Sequence, residues 1–153
     1  MRNHKPLKLE RFLPYRLSIL SNIVSQAIAL EYQQRFSLSM TEWRVMAVLG
    51  RFSALSAREV AEHTAMDKVA VSRALSRLVD AGRVDRHRHN GDRRRSVLRL
   101  SEDGWRVHDA VAPMARAHEE RLLAQLDKSE IDTLARILDK LAPVQVRADP
   151  DPG

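Results

Sequence analysis

The sequence predicts a mainly α fold carrying one small β-hairpin, and three observations predict it. Apolar residues recur at steps of three and four along most of the chain, which is the period of a helix face. After Gly82 that period gives way to two runs, "RVDRHRH" and "RRRSVLRL", around Asn90-Gly91, the strongest short hairpin signal present. Three boxes, "SMTE", "SARE" and "DKSE", place a capping Ser or Asp three residues before a Glu, the pattern that starts a helix.

The elements follow in order. Residues 1–13 read as a flexible, basic N-terminus. Pro14 suits a first helical turn, where its missing N–H costs nothing. The stripe Leu17, Leu20, Ile23/Val24, Ala27/Ile28, Tyr32 continues that helix to about Phe36. A long amphipathic helix at a chain end often packs on a partner helix, in its own chain or in another. Ser39 opens the next helix, Met40 to Phe52, with Trp43, Val45, Met46 and Leu49 apolar. Ser56 opens a short helix to about His63, Thr64-Ala65-Met66 form a turn, and Asp67 caps the helix after it. Val71, Leu75, Leu78 and Val79 form its buried stripe, and Gly82 ends it. In the hairpin, Leu98 and Leu100 alternate inward. Ser101 of "SEDG" caps a helix running from Glu102 towards Leu126, with Pro113 expected to kink it. Asp127 caps the last helix, striped by Ile131, Leu134, Ile137/Leu138 and Leu141, and residues 143–153 read as a disordered tail. Two short helices joined by a brief turn and followed by a hairpin describe a winged helix-turn-helix.

Composition narrows the function. The 153 residues suit one domain, and 44% apolar against 30% charged residues is a folding composition. With no Cys there is no disulfide, thiolate switch or Cys-ligated zinc. No apolar run approaches the ~18 residues of a membrane span. The start, "MRNHKPLKLERFLPYR", is basic but lacks the apolar stretch of a secretory signal, so an intracellular protein without membrane contact is expected. The net charge is +6, and its location is informative. Residues 67–99 hold ten Lys/Arg against four Asp/Glu, while cations and anions balance in the remainder. A basic excess confined to one 33-residue segment is the footprint of a nucleic-acid binder, although a solvated face would show the same charge.

Enzyme chemistry finds little support. There is no Gly-rich phosphate loop, metal motif or nucleophile elbow. His108 and Asp109 are adjacent on a helix and are expected to point in different directions. His108 and His118 are ten residues apart, about 15 Å along a helix, too far to share one metal. His63 reads as a helix-end residue, and His87 and His89 as added wing cations at low pH. Neither catalytic residues nor a metal or cofactor is expected.

The helix after Asp67 has two unlike faces. Val71, Leu75 and Leu78 point one way; Lys68, Ser72, Arg73, Ser76 and Arg77 point the other, with donors suited to guanine edges and phosphates in a major groove. At this point the stretches "LSMTEWRVMAVLGRF", "LSAREVAEHTAMDKVAVSRALSRLVDAGRV" and "DRRRSVLRLSEDG" stand in order, the last carrying an Asp-x-Arg wing signature as Asp92-Arg93-Arg94. From about Pro14 to Leu141 the chain resembles the MarR family of bacterial winged helix-turn-helix transcription regulators.

The resemblance implies a winged helix-turn-helix lobe, residues 39–101, plus a helical dimerisation region, residues 14–38 and 102–142. It implies a homodimer on double-stranded DNA, with two recognition helices reading half-sites of a pseudo-palindromic operator about one turn apart. By position, Lys68, Val69, Ser72, Arg73 and Arg77 match the family's recognition-helix contacts, and Ser56 would meet a phosphate at a helix N-terminus. The wing arginine, here Arg94, would enter a minor groove with Asp92 as its brace. Which of Arg93, Arg94 and Arg95 enters is left open. A two-residue turn at Asn90-Gly91 would set Arg86 opposite Arg95, a repulsive pairing. Either the loop is wider, as the family pattern suggests, or DNA phosphates relieve the repulsion.

Many family members release DNA when a small aromatic anion binds. Candidate ligand residues here are Tyr15, Arg16, Trp43 and His108, with Arg16 able to hold a carboxylate; for each the ordinary reading is the stronger, Trp43 as core and Arg16 as a surface or intersubunit cation. Without Cys, the family's thiol-based peroxide sensing is excluded. The expected protein is therefore a cytoplasmic, nucleoid-associated repressor released by a small-molecule effector. The alternative is a helical dimer with a nonspecific nucleoid-type or protein-interaction role.

Overall fold

Short polar side chains start the helices where the sequence places them. The computed structural model describes residues 3–88 and 96–142. A single 3-10 turn at Leu9–Arg11 precedes α1, Leu13–Phe36. Ser39 then caps α2, Met40–Arg51: the Glu42 N–H donates to Ser39 Oγ, and the Ser39 N–H donates to the Glu42 carboxylate at 2.6 Å. Asp67 caps α4, Lys68–Asp80, by accepting from the Ala70 N–H at 3.2 Å. Asp127 and Glu130 form a reciprocal box at α6, Lys128–Leu141. Each pairing satisfies backbone donors that a helix start leaves open. The box expected at Ser56 is only half formed. The Glu59 N–H donates to Ser56 Oγ, starting α3, Ala57–Thr64, but the Glu59 carboxylate accepts the serine hydroxyl rather than the cap backbone N–H.

α4 stops in a Schellman turn. The Gly82 N–H donates to the Val79 carbonyl at 3.0 Å and the Arg83 N–H to the Leu78 carbonyl at 2.9 Å, with Gly82 at φ +72°. A Cβ at Gly82 would meet nothing within 4 Å, so only backbone conformation is at stake. Gly82→Ala is expected to cost about 1 kcal/mol, the price of a left-handed non-glycine residue, as a lower denaturation midpoint at unchanged slope.

The hairpin pairs β1, Val84–Arg88, antiparallel to β2, Ser96–Leu100. Its register decides between the alternatives left open at Asn90-Gly91, in favour of the wider loop. Val84 faces Leu100 and Arg86 faces Leu98, so Arg86 is not opposite Arg95 and seven residues lie between the strands. The physical reason is the two-residue period of a strand. The tight turn would put Val84 on the face opposite to Leu98 and Leu100. The observed register gathers all three on one face, where all are buried. Asn90, Gly91, Asp92, Arg93, Arg94 and Arg95 lie outside the described residues, as does His89. The inner strand has a second neighbour that sequence periodicity does not reveal: Leu55 and Leu98 exchange both backbone hydrogen bonds, at 3.2 and 2.7 Å.

α5, Glu102–Leu123, begins at Ser101, whose hydroxyl accepts from the Gly104 N–H and donates to the Gly82 carbonyl at 2.6 Å. It continues through Pro113 without a break and ends three residues before Leu126. The core lies among α2, α3, α4 and the strands: Val45, Met46, Leu49, Val60, Val71, Leu75, Leu78 and Leu98 are all buried. The chain forms two compact units, Met1–His118 and Glu119–Gly153. In the first, α1 buries only Ala29 and Tyr32 and leaves Leu17, Leu20, Ile23 and Leu30 exposed, Ile23 to 59%. In the second, Leu134, Ile137, Leu138 and Leu141 of α6 are exposed. No helix among the described residues is long and apolar enough to cross a membrane.

Candidate nucleic-acid interface

α4 owes its orientation to its inner face. Val71, Ala74, Leu75 and Leu78 are buried against α2 and α3, which turns Lys68, Val69, Ser72, Arg73, Ser76 and Arg77 to solvent. Lys68, Arg73 and Arg77 form no ion pair with another described residue. The turn before α4 is set by Ala65 in the left-handed region at φ 51° and by Asp67 as cap. Ser56 sits at the start of α3, half-buried, with its hydroxyl held by Glu59 at 3.1 Å. A phosphate arriving at this helix start therefore meets a carboxylate as well as the backbone donors.

The wing strands add cations. Arg86 and Arg88 are exposed on the face shared with Leu98, and His87 and Arg99 are exposed on the other. The proposed wing-tip residues Asp92, Arg93, Arg94 and Arg95 fall outside the described residues. Two contacts that sequence reading missed fix the base of the wing. Arg83 donates to the Phe36 carbonyl at 2.7 Å, joining the hairpin to the end of α1. The Arg83 carbonyl accepts from the Ser101 N–H at 3.0 Å and lies so close to Gly104 that a Cβ there would stand 2.0 Å from it. Neither contact has a local sequence signal, because each joins residues distant in the chain.

The four candidate ligand residues divide. Trp43 and His108 come together, ring centroids 5.6 Å apart, and Trp105 meets His108 edge-on at 5.1 Å. Gly50 makes room for the imidazole: a Cβ there would stand 2.7 Å from His108 Nε2. Contrary to the expectation of diverging side chains, His108 Nδ1 is 3.2 Å from Asp109 Oδ1, since an exposed carboxylate at i+1 can fold back to the ring. Trp43 is half-buried and packs on the core, 6.1 Å from Tyr32, whose phenol is pushed up to about 12 by burial against the opposing charge of Arg44. Tyr15 and Arg16 are exposed near the start of α1. His63 does end a helix, stacked on Phe52 at 4.3 Å. Among the described residues, no three His, Asp or Glu side chains gather as a metal site.

Comparison with known proteins agrees with this architecture. A model of the MarR family matches residues 36–95. An HTH-type transcriptional repressor of Mycobacterium tuberculosis is 28% identical over 131 residues, covering 85% of this chain and 91% of its own. The crystal structure of a MarR/EmrR family transcriptional regulator from Acinetobacter sp. ADP1 superposes with a TM-score of 0.80 at 28% identity, covering 88% of this chain and 95% of the other. A mutant MarR from E. coli, crystallised with operator DNA, shares the fold at a TM-score of 0.76 and 22% identity, covering 91% and 100% of the two chains.

Proposed function

This chain belongs to the MarR family of DNA-binding transcription regulators, and from that premise we propose that it is a sequence-specific, homodimeric repressor of a pseudo-palindromic operator, released by a small-molecule effector. The observation that carries the reading is the outer face of α4, where Lys68, Ser72, Arg73, Ser76 and Arg77 stand exposed, without salt-bridge partners among the described residues, on a helix whose other side is packed in the core. That face has the donors to read guanine edges and to position the protein on phosphates. In the same reading one of Arg93, Arg94 and Arg95 serves the minor groove with Asp92 as its brace, and Ser56 meets the backbone. Repression is suggested by the name of the mycobacterial relative, and DNA as the partner by the operator complex of the E. coli protein.

The dimer reading draws on the uncovered apolar lines of α1 and α6, since rows of exposed Leu and Ile on two helices are what a second copy would bury. The effector reading draws on Trp43 and His108, two ring systems meeting beside a glycine, with Arg16 as the cation for a carboxylate.

The test is fluorescence anisotropy on the duplex upstream of the protein's own gene. Preference over random duplex at ~150 mM salt is expected, together with an affinity that falls steeply as salt rises, because each neutralised phosphate releases counterions. A protein that ignores sequence but keeps the salt slope would be a nonspecific nucleoid-type binder. One with a flat salt response would be an interaction module.

A further inference from the structure

Position around α4 ranks its outward residues. At 100° per residue, the buried set Val71, Ala74, Leu75 and Leu78 defines the inward direction. The residues falling most nearly opposite are Val69 and Asp80, with Arg73 and Ser76 between them along the helix and close to the same line. This line is the outermost ridge of the helix. Asp80 closes it with a negative charge, so the two N-terminal turns are the part fit to approach DNA. The first residue of the ridge is the anomaly. Val69 is apolar, β-branched and 56% exposed, while the other outward residues of these first turns, Lys68, Ser72, Arg73 and Ser76, carry donors. A β-branched residue is a weaker helix former than the straight-chain residues this surface position would accept, so local helix stability does not account for it.

We propose that Val69 is a specificity-determining residue that packs on the C5-methyl group of a thymine in each half-site, beside the base read by Arg73. The inference rests on the DNA-binding reading above. In the major groove, thymine alone among the bases offers a methyl group, and an apolar side chain without donors is suited to it. Val69 and Arg73 are one turn apart, a rise of about 6 Å, which spans roughly two base-pair steps. The half-site is therefore expected to carry the thymine within two steps of a guanine read by Arg73. Neither Lys68 nor Ser72 can take this role, because their polar ends prefer acceptors.

The experiment is atomic in scale. The preferred duplex is selected from a randomised pool, and each thymine is replaced in turn by deoxyuridine, which lacks only the methyl group. Affinities are measured by anisotropy for the wild-type chain and for Val69→Ala. Removing one methyl contact should weaken wild-type binding about fourfold per half-site, the fold-change equivalent to one buried methyl group. That loss should occur at one symmetry-related thymine and largely vanish in Val69→Ala, which binds thymine and deoxyuridine operators alike. Val69 is exposed, so the variant is expected to fold; its melting curve checks this. Sequence-specific binding that no deoxyuridine weakens, or that is weakened equally in both proteins, overturns the role of Val69 while leaving the regulator reading intact. Failure to select any preferred duplex overturns both.

Discussion

Gly104→Ala is expected to lose about 3 kcal/mol or more of stability, despite adding a single methyl group, because overpacking against an immobile neighbour has no cheap relief. The added carbon would stand 2.0 Å from the Arg83 carbonyl oxygen. That oxygen cannot move aside. It accepts the Ser101 N–H at 3.0 Å, the Arg83 N–H completes the Schellman turn of α4, and the Arg83 side chain is bonded to α1. Thermal and denaturant unfolding measure the loss; wild-type stability would mean that the approach of α5 to the hairpin base is looser than described. Gly50→Ala is the informative comparison. Its carbon would meet the tip of the His108 ring, which can swing away, so a smaller loss is expected. Both tryptophans of the chain contact that ring, and their fluorescence should report its displacement.

Arg73→Ala is expected to weaken operator binding by about 1–3 kcal/mol per half-site if the guanidinium pairs a guanine edge, and to leave folding intact. The side chain is exposed and sits at the centre of the outward ridge of α4, so its removal uncovers no core and orphans no acceptor. Anisotropy on the preferred operator and on random duplex separates two roles. A base contact loses more on the operator; a phosphate contact loses equally on both and lowers the salt slope. An unchanged operator affinity would remove Arg73 from the reading altogether.

The parts of the fold that sequence made legible are those set by near neighbours. The caps at Ser39, Asp67 and Asp127, the end of α4 at Gly82, and the two faces of α4 all depend on residues within one or two turns. What escaped depends on approach between distant segments. The Asn90-Gly91 pair leaves a two-residue turn and a wider loop both open, and it is the burial of Val84 with Leu98 and Leu100 that decides the register. Leu55 has no alternating neighbours to announce a strand, yet it pairs with Leu98. Gly104 reads as part of a helix start, and nothing near it signals the carbonyl that excludes a side chain. In the candidate interface the exposed face of α4 was readable for the same local reason, whereas the meeting of Trp43, Gly50 and His108 joins α2 to α5 across more than fifty residues.

The single-residue pairing of Leu55 with Leu98 has a mechanical consequence. Leu55 directly precedes the cap of α3, and Leu98 belongs to the inner strand, so two hydrogen bonds fasten the hairpin base to the helix-turn-helix. Strand and helices are thereby tied to each other, and the pairing sets the separation between α4 and the wing base like a fixed gauge. If the protein is the effector-released dimer proposed above, release would then come from a change in the distance or angle between two such gauges, as opening a pair of callipers changes the gap without bending either arm.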